Sequence, residues 1–493
     1  MIFRCKTNII FLNSYKNHII FIIIKGRRDI MLKKFLNKII GSKEFYKMVL
    51  VIVIPIALQQ LLTQFVSLID NIMIGSVGTE QMSGVAISNQ VLMVFNLAVF
   101  GIISGVSIFA SQYHGSKDIN GIKKTFQFKW LMIILTLIIG INIFIFYGED
   151  IISSFINSNS DDSTDPILVQ NYAWSYLKIM LIGLVPFAIK EIYSTALREA
   201  KQTFVPMIAG VSAIFVNLIF NYFLIFGKFG FPQLGVEGAA IATVISRFVE
   251  LAIVVIYIHI KKEQYPFIKK VYLKVYLKFK DAKGYLPRTL LLCLNEIMWS
   301  LCITLIFQCY SKRGLDIVGA MNICNNVNNL FMTLGLSLGN AIAIIIGQLL
   351  GAKKYEEAYD TGVKLLTFSL FVSITTSILM IGSGLFIPNV YKTTDAIKSL
   401  SFKFILVAAM GMPINTFNTS SYFMIRSGGK TLLTFLFDSV FSWVVRLPLA
   451  FILVNFTNLS IIPIYILVTL SDLIKTPLAV IIIKTKIWLK TII

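Results

Sequence analysis

Residues 48–78 read MVLVIVIPIALQQLLTQFVSLIDNIMIGSVG. The run is long enough to cross a bilayer, for which about 20 apolar residues suffice at a rise of about 1.5 Å each. Yet it carries Gln59, Gln60 and Gln64 in its body and Asp70 near its far end. A carboxylate in a spanning helix is costly unless it faces a partner or a wet cavity, so such a residue is read first as functional. The rest of the chain is therefore read for what stands around Asp70.

Composition sets the frame. The chain has 493 residues, 56% hydrophobic and 14% charged, with mean hydropathy +0.79; a soluble domain carries about 25% charged residues. Apolar runs of helical length recur, and no alternating strand pattern does, which predicts an all-α polytopic membrane protein. The net charge of +21 does not point to nucleic acid, because Lys and Arg sit in alternate loops and in residues 1–47, as the positive-inside rule requires. Cys5, Cys293, Cys302, Cys309 and Cys324 form no CxxC pair, and His18, His114 and His259 are scattered, so no zinc or disulfide framework is expected. Walker A, HExxH and dinucleotide fingerprints are missing, which argues against an enzyme or an ATP-driven pump. Any pumping must draw on an ion gradient.

Twelve spans are predicted, at 48–74, 84–110, 127–148, 168–192, 204–226, 236–260, 286–310, 318–347, 364–387, 400–425, 431–455 and 459–483. The even count puts both termini on one side. Loop 261–285 holds eight lysines against two acids, whereas loop 149–165 has no Lys or Arg. Both termini are therefore expected in the cytoplasm. Residues 1–47 read as a basic N-terminal segment, in which 19–24 is too short to span. From Met31 a basic amphipathic helix is expected on the inner membrane surface, and Met31 is an alternative start; no secretory cleavage pattern is seen.

The chain repeats itself. Residues 101–118 (GIISGVSIFASQYHGSKD) parallel 337–354 (SLGNAIAIIIGQLLGAKK), setting Gln112 and Gly115 opposite Gln348 and Gly351. Leu197-Arg198 with Thr203 recurs as Ile425-Arg426 with Thr431, and Pro55 as Pro287. Two six-helix lobes, 48–260 and 286–485, follow as a parallel repeat, with 261–285 as connector and 486–493 as a cytoplasmic tail. Transporters commonly bind substrates and ions at the interface of such repeats.

Counting rises along the spans puts Asp70, Asn217, Asn221 and Thr243 at one depth of the first lobe. Asn217 and Asn221 are four apart and share a face. A carboxylate with amide and hydroxyl oxygens is a cation site, with Asp70, Asn217 and Asn221 as ligands if the ion is Na⁺; the carboxylate alone can instead carry a proton. The plain alternative is hydrogen bonding between helices. In the second lobe, Glu296 stands near mid-membrane after Asn295 and one turn before Trp299, a set suited to a cationic, aromatic-bearing ligand. Gln64 is placed with these substrate contacts; the alternative for Glu296 is a structural carboxylate. Four further charge pairs are read as structural: Asp438 with Arg446 through a neighbouring helix, and Lys190–Glu191, Arg247–Glu250 and Asp472–Lys475 locally.

Over residues 45–490 the sequence resembles the multidrug and toxic compound extrusion (MATE) family. The likeness rests on Pro55 with Asp70-Asn-Ile-Met-Ile-Gly75, on Gln112 with Gly115, and on LREAKQTFVPM (197–207). It continues in NLIFNYFLIFGKFGFPQLGVEGAAIAT (217–243), LNEIMWSL (294–301), GQLLGAKKYEEA (347–358) and IRSGGKT (425–431). The resemblance implies two lobes around a V-shaped cavity, and Na⁺- or H⁺-coupled antiport of amphipathic, often cationic compounds. It implies a monomer in a bacterial plasma (inner) membrane, with no cofactor beyond the coupling ion. It also implies a first-lobe cation site at Asp70, Asn217, Asn221 and Thr243. A second-lobe pair would join Glu296 to an acid near Asn415 or Thr416, where none stands, and Lys430 replaces the acid usual after the second Gly-Gly. The alternatives are a lipid-linked oligosaccharide flippase of the same superfamily, against which the mid-membrane acids argue, and a membrane scaffold without a transport cycle.

Overall fold

The computed structural model describes residues 39–156, 165–391 and 393–493. The surface helix expected from Met31 lies almost wholly outside these residues, as does the run 19–24. Among the described residues, twelve helices are long and apolar enough to cross a membrane. They are α1 (Lys43–Gly75), α2 (Thr79–Ser116), α3 (Ile119–Ile156), α4 (Pro166–Glu199), α5 (Phe204–Phe226) and α6 (Gly235–Ile260). After the connector come α7 (Phe279–Ser311), α8 (Leu315–Gly351), α9 (Tyr355–Gly384) and α10 (Asp395–Ser427). The last two are α11 (Thr431–Phe456) and α12 (Ile461–Lys484).

Every predicted span is present, and most helices overrun it. Hydropathy sees only the apolar middle, whereas backbone bonding continues through the polar ends. Capping then sets the limits: Ser42 accepts from the Phe45 amide, Asp165 from Ile167 and Leu168, and Thr394 from Ile397. The connector is no free loop. It packs Phe267, Ile268 and Val271 into the first-lobe core. Gln127 of α3 straps it down, donating to the carbonyls of Val271 and Lys274 at 2.7 Å and accepting from the amides of Tyr276 and Leu277.

The repeat reaches the backbone itself. Lys117 follows α2 with φ 58° and its counterpart Lys353 follows α8 with φ 59°; Lys201 after α4 (φ 60°) is matched by Gly429 after α10 (φ 74°). Both lobes thus turn at the same places on the face that carries the connector and the outer ends of α1 and α12, here called the basic face.

At that face the lobes are clasped. A Cβ added to Gly115 would lie 1.9 Å from the Gln348 carbonyl oxygen, and one on Gly351 1.9 Å from that of Gln112. Only glycine lets α2 and α8 cross this closely. The two glutamines then reach across symmetrically. Gln112 Nε2 donates to the Ser427 carbonyl at the end of α10, and Gln348 Nε2 to the equivalent Glu199 carbonyl at the end of α4, each at 2.8 Å.

The predicted tail is part of this clasp. Trp488 is 0% exposed, Thr491 Oγ1 donates to the Leu350 carbonyl at 2.6 Å, and the Ile492 amide donates to Gln112 Oε1 at 2.8 Å. The lobes are further joined by Gln112–Lys490, Tyr113–Tyr285 and Lys124–Asp281 on the basic face, and by Gln60–Ser337 and Cys293–Ala98 nearer mid-depth.

Candidate functional site

Helix α1 runs between the lobes, its Val49, Ile52, Val53 and Ile56 packed into one core cluster with Leu338, Ile342 and Ile345 of α8. Pro55 lies inside it. Proline has no N–H, so the Val51 carbonyl four residues back loses its helical partner. Thr203 at the head of α5 replaces it, donating from Oγ1 at 3.1 Å. The mid-helix weak point is thereby tied to the helix that carries the asparagine pair.

About four turns beyond Pro55, Asp70 meets that pair. Asn221 Nδ2 donates to Asp70 Oδ1 at 2.7 Å, and Asn217 and Asn221 are 5% and 1% exposed. The Asn217 amide has two readings. In one, its oxygen accepts from Asn221 at 3.1 Å and its nitrogen reaches Thr243 Oγ1 at 3.2 Å. In the other, its nitrogen faces Asp70 at 3.0 and 3.2 Å and its oxygen accepts from Thr243. Either way, the four residues predicted from depth and spacing come together.

Asn221 Oδ1 is buried with no hydrogen-bond partner. A buried orphan acceptor is expensive, and here it stands beside a carboxylate. The set is all hard oxygen with one formal negative charge, which fits a monovalent cation or a proton. Among the described residues no three His, Cys, Asp or Glu side chains are grouped to hold a metal ion.

Toward the basic face a second polar layer follows. Arg198 donates to Gln59 Oε1 at 3.0 Å, Gln59 donates to Glu250 at 3.4 Å, and Lys190 pairs with Glu191 at 2.6 Å and Glu250 at 3.4 Å. The expected local pair Arg247–Glu250 is corrected. Arg247 turns to the Gly183 carbonyl (3.1 Å) and the Phe187 ring, leaving Glu250 to Lys190.

In the second lobe Glu296 is partly buried and accepts from the Tyr422 hydroxyl at 3.3 Å. Asn295 is 0% exposed; it donates to Tyr422 and Asp438 Oδ2, each at 3.2 Å, and accepts from Ser439 at 2.8 Å. Its amide is thus engaged by α10 and α11. Trp299 is partly buried and Gln64 exposed, and among the described residues neither makes a hydrogen bond; the structure does not join them to Glu296 by one. At the position expected for a second acid, Asn415 accepts from Thr419 at 3.2 Å.

Asp438 and Arg446 do not meet each other. Asp438 lies 3.5 Å from Lys475, and Arg446 lies 3.7 Å from Asp472, so α12 supplies both partners. The Asp472–Lys475 pair is present at 3.4 Å. Sequence reasoning missed Tyr422, Ser439 and the joining of these pairs to Asn295. A tyrosine and a serine in apolar helices carry no signal of their own.

The model of the family described as MatE matches residues 55–223 and 291–452. The proteins called "Probable multidrug resistance protein NorM" of Thermotoga maritima and Oceanobacillus iheyensis are 24% and 25% identical over 420 and 437 residues, each match covering 85% of this chain and 88% and 92% of theirs. A mutant of the Vibrio cholerae MATE transporter VcmN has TM-score 0.79 at 15% identity, covering 90% of this chain and 97% of that one. An outward-facing multidrug resistance MATE family transporter of the MOP superfamily has TM-score 0.77 at 16% identity, with 92% and 98% covered. At such identities it is the twelve-helix fold that is shared.

Proposed function

Because this chain belongs to the MatE family, a family of membrane transporters rather than enzymes, we propose that it exports amphipathic organic cations in exchange for Na⁺ or H⁺ entering at Asp70. The observation that carries the reading is the orphaned Asn221 Oδ1 beside the Asp70 carboxylate. The basic face is then cytoplasmic, since positive loops stay inside, and the protein sits in a bacterial plasma membrane as a monomer. The clasped conformation is closed to the cytoplasm.

In that state Asp70 takes up the ion from outside. Once its charge is neutralised, the carboxylate no longer needs both amides. The Asn221 and Asn217 contacts can loosen, and α1 repacks at Pro55, where it has no continuous ladder. Drug leaves outward, the clasp opens, and the ion is released inward. Glu296 and Trp299, with Gln64 across the cavity, hold the incoming cation, and Asn295 orients the polar network behind Glu296. The name of the relatives, probable multidrug resistance protein, supports small-molecule drugs as the cargo.

The test is efflux of ethidium from vesicles under imposed Na⁺ or pH gradients. Asp70→Asn should reduce gradient-driven efflux to background with the protein still in the membrane. Undiminished efflux by that variant would sink the assignment.

A further inference from the structure

The second lobe contains a cluster that the coupling scheme leaves unused. The Lys475 ammonium stands 3.5 Å from Asp438 Oδ1 and 3.4 Å from Asp472 Oδ1. It also lies 5.0 Å from the Phe441 ring centre and 6.0 Å from that of Phe437. Two carboxylates and two aromatic faces around one ammonium make a cation cage. The other charges facing it are Arg446, 3.7 Å from Asp472, and Glu296, linked to Asp438 through Tyr422 and Asn295. Beyond Tyr422 lies Arg426, stacked on Phe423 at 4.0 Å.

Two further features set this cluster apart from an ordinary buried ion pair. Asp472 is 7% exposed, and its Oδ1 lacks a hydrogen-bond partner even with the ammonium beside it; the lysine fills the cage without satisfying it. The helices are also irregular at the charged residues. Asp438 lies in a π turn (Leu436–Val440), Arg446 in a second one (Ser442–Arg446), and Asp472 in a 3-10 turn (Ser471–Ile474). Such turns give up regular bonding and recur at functional sites. Here they aim three charges from two helices at one point.

We propose that the second lobe holds a cation site built on Asp438 and Asp472, and that Lys475 is its resident, tethered cation. The site takes a primary ammonium between two carboxylates and two rings. The proposal rests on the coupling scheme above in one respect: with this cage filled by the protein's own charge, coupling falls to the Asp70 site alone. The acid that faces Asn295 comes from α11, in place of the one lacking at Asn415 and Thr416.

Lys475→Ala removes the tether and leaves a cage the size of a short alkylammonium. The purified variant should gain thermal stability on adding millimolar ethylammonium, by several degrees, while the wild type and Lys475→Met, whose side chain still fills the space, gain none. Adding Asp438→Asn to Lys475→Ala should abolish the gain. Ethidium efflux by Lys475→Ala should fall by about tenfold or more, as expected when a buried charge partner is removed, and ethylammonium should restore most of it. Ethanol, neutral and of similar size, should restore nothing. No stabilisation of Lys475→Ala by ethylammonium, or an equal one in the wild type, overturns the proposal. Should Lys475→Ala fail to accumulate, growth with ethylammonium must recover its level, and no recovery also overturns it. The stability readout requires no transport, so failure of the Asp70 assignment leaves it standing.

Discussion

At the scale of the residue, Asn221 decides more than its size suggests. One end of its amide holds Asp70 at 2.7 Å and the other is buried without a partner. Asn221→Leu removes both at nearly constant volume. The cation concentration giving half-maximal efflux should then rise by about tenfold or more, in line with the loss of a hydrogen bond to a charged group. Thr243→Ser, which keeps the hydroxyl, should stay near wild type and Thr243→Val should follow Asn221→Leu; titrating efflux against Na⁺ or H⁺ reads both. This site was legible because each residue announces itself: a lone acid, two amides one helical turn apart, and a threonine at matching depth. Asp438 was not legible as a partner of Asn295. Its direction depends on a π turn, and a period of 3.6 residues applied along α11 aims it elsewhere.

At the scale of the element, α1 is a helix repaired from outside. Pro55 frees the Val51 carbonyl and Thr203 satisfies it. Thr203→Val should therefore cost about 1–3 kcal/mol, the penalty of a buried unmet acceptor. In a Pro55→Ala background the backbone N–H returns, and the same substitution should cost well under half as much. Thermal unfolding of the four proteins closes this double-mutant cycle; equal costs in both backgrounds would refute the repair. The helices themselves were plain in the sequence, since apolar runs of spanning length have few other fates. Their ends were not, because α3 continues to Ile156 through residues that hydropathy scores as loop. The connector also read as a charged linker. Its apolar minority, Phe267, Ile268 and Val271, is what anchors it.

At the scale of the whole molecule, the lobes meet where the repeat predicted equivalence but could not predict contact. Gln112 and Gln348 were seen as counterparts in sequence. That each spans to the other lobe's α10 or α4 is a fact of packing. Gly115→Ala places a methyl 1.9 Å from a carbonyl oxygen, too close for any side-chain adjustment to relieve. Such a protein should be unable to close the basic face. Cysteines placed near mid-depth on α2 should become reactive from the cytoplasmic side, and efflux should drop to background. Gly351→Ala should do the same by symmetry.

The tail adds a matter of timing. Lys490 and Ile492, carried by α12 of one lobe, bond Gln112 in the other at 3.3 and 2.8 Å, so opening on this side requires them to part and, before the next export, to find one another again. Peeling and reseating the tail is then a step common to every cycle, whatever the cargo. If it is the slow step, as gating motions often are, compounds of widely different affinity will share one ceiling velocity, and shortening the chain before Lys486 will raise that ceiling for all of them together.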